Sequence, residues 1–324
     1  MPVRLIDLLE RVPKEVESRV RAARDRARSV LRDAIRAECR LAMRTDADDT
    51  GAAAQVPIEV SPGYPEALRD VTFPDELLHV LLLSRFRRSL AEAASGTEGL
   101  LQLHDALVKL PNGDDWTQID PAEISNTGRW ALEMLRRLEA HDPVGKVLAV
   151  NEDILGAYIY RADVKDEFAT NTARIALYWC VIGLVSEWLG CSVEDLTVVV
   201  MAHELAHAYT QLGADIDGRR WPSHHFGKAE TDLKEGLAQF YTLRALQRLQ
   251  SRFPGAIGAF DALLVTQPGP YHTHEPWVER YSPEAVRQAM LEVRRWREGN
   301  LQQFSVQLDR AGEQLKPLKD SLFP

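Results

Sequence analysis

Apolar positions along the chain recur first at helical spacing. Between Pro13 and Arg44, residues Val16, Val20, Ala23, Ala27, Val30, Ala34, Ala37 and Leu41 alternate in steps of four and three. This heptad stripe predicts one long helix over 13–44, with Pro13 at a first-turn position that proline tolerates. The stripe is rich in alanine, so whatever packs on it comes close. Two uses fit it: docking against the rest of the same chain, or self-association or partner binding through that helix. From Thr45 to Pro65, clusters of Asp, Gly and Pro mark a linker. Helical patterns follow at 74–95, 97–110 and 121–141, broken at "LPNGDDW".

The texture changes after "HDPVGKVLAV". Segments 155–163 and 173–179 are short, aromatic and β-branched, with alternation such as Ile175, Leu177, Trp179, and they predict strands. "CSVEDL" then places Asp195 three residues after Ser192, a capping-box-like start for a helix running to about Gln211, with Gly213 as its stop. A loop bearing Gly and Pro leads to a second helix at about 228–250. The pattern as a whole predicts an α+β fold, predominantly helical, with a small mixed sheet. It divides into a heptad-patterned helix at 1–45, a helical region at 46–145 and a mixed region at 146–324. No internal repeat is visible.

Composition narrows the picture. The net charge of −9 argues against nucleic acid as a default partner. The charge is unevenly placed: residues 1–45 hold twelve Lys/Arg against seven Asp/Glu, a local +5 that leaves −14 for the remainder. Cys39, Cys180 and Cys191 are odd in number and widely spaced, as in a reduced compartment rather than a disulfide frame. The oiliest runs, "WCVIGLV" and "LTVVVMA", fall far short of the roughly 18 residues a membrane span needs. With no signal-peptide pattern at the start, the expected location is cytoplasmic.

The chemistry concentrates in "VVVMAHELAHAYTQLG", residues 198–213. Residues four apart on a helix lie within about 40° of one another, so His203 and His207 aim two imidazoles at one point. Glu204, rotated by about 100°, reaches a water there instead. This H-E-x-x-H spacing means two zinc ligands and a general base. By composition its chance occurrence in a chain of this length is about one in a hundred, which makes it informative without being decisive. A catalytic zinc keeps three protein ligands and one open position. The three-histidine extension of the motif fails, because Thr210 and Gly213 stand where it needs Gly and His. On the second helix, Glu235 shares a stripe with Thr231, Ala238, Thr242, Leu246 and Leu249, a packing face, while Glu230 sits with Arg244 and Arg248. Periodicity therefore favours Glu235 as third ligand, with His224, His225, Asp217 and Glu230 as alternatives. Gly236 beside it permits close approach.

"HELAH" followed by "EGLAQFYT", its Glu 28 residues beyond the second His, resembles the gluzincin branch of the zinc metallopeptidases. The resemblance covers roughly residues 150–250 and implies a zincin-like domain with two active-site helices. It further implies one Zn²⁺ on His203, His207 and Glu235, with Glu204 as base in the hydrolysis of a protein or peptide substrate. Thermolysin-like members carry Asn before the third ligand and Asp four residues after it; this chain has Lys234 and Gln239. The Gln239 amide is then expected to orient the His203 ring. Such families add a His or Tyr to hold the oxyanion. "PYHTHEPWVERY" offers His272, His274, Tyr271 and Tyr281 for that role. By the same analogy the strand at 173–179 is either the edge beside which an extended peptide lies or a core strand. Two other functions remain in view: an inactive zincin-like interaction protein, and a zinc hydrolase of a non-peptide amide. Glu204 between the ligands favours catalysis, since a structural site has no use for a base.

Overall fold

The computed structural model describes residues 3–43, 56–73, 86–109, 120–141, 143–149, 154–163 and 172–322. Most of the 45–65 linker, the first part of the helix predicted over 74–95 and the predicted break at 110–116 lie outside them. The fold is α+β and predominantly helical, with one three-stranded and one two-stranded sheet.

The chain opens with β1 (Val3–Arg4), α1 (Leu5–Leu9) and the long α2 (Glu15–Cys39), then β2 (Ile58–Ser61) and β3 (Thr72–Phe73). Two helices, α3 (Arg87–Val108) and α4 (Pro121–His141), pack on each other, followed by the short α5 (Pro143–Leu148). Strands β4 (Gly156–Ile159) and β5 (Arg174–Tyr178) precede α6 (Trp179–Leu189) and α7 (Val193–Leu212). The remainder is helical: α8 (Ser223–Lys228), α9 (Thr231–Arg248), α10 (Ala256–Leu264), α11 (Glu275–Arg280), α12 (Pro283–Val293) and α13 (Leu301–Leu322). None of the described helices is long and apolar enough to cross a membrane.

α2 ends earlier than its pattern predicts, at Arg40, whose φ of 52° closes the helix in the left-handed region. Its buried face is Val16, Val20, Ala23, Ala27, Leu31, Ala34, Ile35 and Cys39, while Val30 is half-buried and Ala37 exposed. A straight helix drifts by ~20° per heptad relative to a strict seven-residue repeat, so the buried stripe walks off the predicted one after two heptads. This face packs on α7, α9 and α6, so the stripe is used inside the chain. Arg19 reinforces the docking through Glu194, with a bidentate pair at 2.7 and 2.8 Å.

In the three-stranded sheet β5 is central, β2 running parallel to it and β4 antiparallel, with Val60 and Gly156 both opposite Leu177. The 173–179 segment is therefore a core strand, and Trp179 already belongs to the next helix. β2 falls where the sequence predicted only linker. A single apolar cluster runs from Leu5 to Ala311, so the packing crosses the boundaries at 45 and 145. The predicted helices 97–110 and the end of 74–95 are one continuous helix, α3, running through Gly96 and Gly99.

Candidate metal centre

α7 is set by its own sequence. Ser192 caps it, its Oγ accepting from the Asp195 backbone N–H at 3.0 Å. Beyond the first turn only His203 is not fully buried, because β4, β5, α2, α9 and α10 surround the helix. A helix apolar on every face is a core helix, and titratable groups on it are costly without partners.

His203, His207 and Glu235 converge. His203 Nε2 lies 3.1 Å from His207 Nε2 and 3.1 Å from Glu235 Oε2, and His207 Nε2 lies 3.3 Å from Glu235 Oε1. Two ligands about 2.0–2.1 Å from a tetrahedral centre stand about 3.3 Å apart, so this triangle has the dimensions of one face of a zinc-sized tetrahedral site. The donor set fits as well. A proton on one ring satisfies a single edge of the triangle, whereas a cation at its centre satisfies all three atoms. The trio could thus hold a metal ion. Burial pushes the Glu235 carboxyl up, but the adjacent His207 and His203 outweigh it and hold the group well below its ordinary range. The α9 face that carries Glu235 is buried through Ala238 and Thr242, as its periodicity predicts. Gly236 makes room: a Cβ there would meet the Trp277 ring at 2.6 Å and Thr273 at 3.1 Å.

Glu204 is 3% exposed and lines a cavity of about 30 Å³ together with His203, Gln239, Gln267, Tyr271 and several aliphatic residues. Gly156 lets β4 pass directly over it, since a Cβ would sit 2.7 Å from Val200 Cγ1 and 3.2 Å from Glu204 Cγ.

The alternative ligands are elsewhere. Glu230 is exposed and accepts from the Leu301 N–H at 2.8 Å, and Asp217 is exposed in the loop. His224 and His225 face each other with ring centroids 4.2 Å apart. Of the oxyanion candidates, Tyr271 lines the cavity, its ring 5.6 Å from that of His203. His274 is 2% exposed and its Nδ1–H donates to the Tyr271 carbonyl at 2.8 Å, so it holds Tyr271 in place. Burial lowers the His274 pKa against the opposing pull of that hydrogen bond. Both ring nitrogens of His272 are engaged, with Glu275 at 2.8 Å and the Gln267 carbonyl at 3.2 Å. Tyr281 donates to Asp309 in a separate groove with Arg280 and Ser282, away from the trio. The Gln239 amide lines the cavity, but its nitrogen donates to Gln267 Oε1 at 2.9 Å rather than bracing the His203 ring. A residue one turn beyond Glu235 on the same face points into the cavity, and the long Gln side chain reaches the bend that follows α10.

Gly156 and Gln267 were missed from sequence. A glycine opening a strand pattern is a signal of close backbone approach, whereas nothing marks Gln267 in advance. Comparisons with protein-family models, with curated proteins and with solved structures found no match to this chain. The functional reading rests on the geometry.

Proposed function

We propose that this chain is a zinc-dependent metallopeptidase that hydrolyses peptide bonds of a protein or peptide. The observation that carries this reading is the trio of ligand atoms at tetrahedral spacing, with the buried Glu204 lining the cavity that His203 also lines. A zinc ion held by His203, His207 and Glu235 would supply Lewis acidity and bring the pKa of a water at its open position to about 7. Glu204 takes the proton of the attacking water and passes it to the leaving nitrogen. Tyr271, fixed through its carbonyl by His274 and lining the same cavity, is the residue we assign to the developing oxyanion. The low exposure of Glu204 keeps bulk water from competing for that proton. β4 pairs on one side only among the described residues and passes over the cavity at Gly156. It is the strand beside which an extended substrate would lie.

The test separates metal from base. The purified chain should hold about one zinc, lost in His207→Ala. Glu204→Gln should keep the zinc and cleave a broad peptide library about 10²–10⁴ times more slowly than wild type. Equal cleavage by that variant would overturn the mechanism.

A further inference from the structure

The cavity beside the trio says which substrates can enter. Among the described residues its apolar lining comes from Leu148, Leu155, Val199, Val200 and Leu263, all at most 6% exposed. One water needs roughly 10–15 Å³ of such space, so a cavity of about 30 Å³ holds two. The walls have little slack. A Cβ at Gly156 would stand 2.7 Å from Val200 Cγ1, so not even a methyl fits there, and β4 is fixed by its pairing with β5. A phenyl ring is several times the size of the two waters this space holds, so it enters only if one of these elements gives way.

The polar part of the lining is equally specific. The Gln239–Gln267 bond uses one nitrogen and one oxygen, leaving an oxygen on one amide and an NH₂ on the other for a further partner. Turning both amides over changes which residue offers which atom, but not the pair. An acceptor and a donor side by side match the N–H and C=O of a peptide.

We propose that this cavity is the specificity pocket of the site, resting on the metallopeptidase reading. It takes an aliphatic group of two or three carbons and turns away aromatic ones, while Gln239 and Gln267 hold the neighbouring peptide amide.

Calorimetric titration of the zinc-loaded full chain with hydroxamates of graded size tests this. Butanohydroxamate should bind about fifteenfold tighter than acetohydroxamate, about fourfold for each of its two added methylenes. The phenylpropano analogue should bind at least about tenfold more weakly than the butano compound, and Leu263→Ala should recover about that factor. A wild-type chain that binds the phenyl compound tightest overturns the size limit. N-acetylalanine hydroxamate carries a peptide amide. Gln267→Leu, at a half-buried position, should weaken it severalfold and leave butanohydroxamate unchanged; equal or no loss overturns the amide assignment. Zinc and acetohydroxamate binding without size discrimination overturns the pocket alone. Failure to bind zinc overturns the metallopeptidase reading and the pocket with it.

Discussion

α7 and the α3–α4 pair are both built from long amphipathic or apolar stretches, yet they bury their side chains to opposite extents. Along α7 nearly every residue after the first turn is inaccessible. Between α3 and α4 the buried cluster is Leu90, Ala131 and Leu138, while Leu100, Leu103, Val108, Trp130 and Leu132 stand more than 40% exposed. Polar atoms cost little on the second pair, so its glutamates and arginines carry no message beyond solvation. On α7 the same residue types are expensive, and their presence has to be offset by a partner. Burial, rather than residue type, makes His203, Glu204 and His207 informative.

Substitutions can break that contrast or sharpen it. The largest effect is expected at Leu205, fully buried one residue after Glu204: Leu205→Ala should cost about 2–5 kcal/mol in urea denaturation. A loss under about 1 kcal/mol would mean the core around the metal helix is far looser than described. Next comes Gly156→Ala, expected to cost about 1–3 kcal/mol, because the added methyl meets Val200 and the immovable Ala176 carbonyl 3.2 Å away. The pH dependence is smaller. The folded-state pKa of His274 lies below its ordinary 6.5, so as pH falls the unfolded chain takes up that proton first. Its contribution to stability is therefore intact above 6.5 and declines between that value and the lowered folded pKa. Unfolding of His274→Gln against wild type over roughly pH 5–7 should show a flatter dependence in the variant. Least is expected at Leu103, 55% exposed on α3, where Leu103→Ala should stay within about 0.5 kcal/mol by the same melt.

Local patterns were readable and long-range ones were not. The Ser192 cap, the span of α4 and the burial of the Glu235 face follow from spacing within one or two turns, and each stands as the spacing predicts. β2 alternates Ile58 and Val60 with polar residues, but four residues between Pro57 and Pro62 become a strand only by pairing with β5 more than a hundred positions later. The same holds for β5 as central strand rather than edge, a property of its neighbours. The patterns at 74–95 and 97–110 are separate in the sequence, yet a Cβ at Gly96 or Gly99 would meet nothing within 4 Å, and one helix runs through both at a modest cost. Gln239 was placed on the correct face but given the wrong partner, since its reach to Gln267 depends on a turn 28 residues away.

The Arg19–Glu194 pair joins positions 175 residues apart. Chains are made from the amino end, so α2 leaves the ribosome with its alanine stripe exposed and waits for α7 while the residues between Cys39 and Val193 are made. The two ligand helices, by contrast, emerge almost together. Assembly should thus run in two unequal stages: a local pairing that brings the imidazoles and carboxylate near one another, then a late docking of α2 that seals the back of α7. Such non-local closure is slow, and until it happens the apolar back of α7 is open to anything that recognises exposed apolar surface.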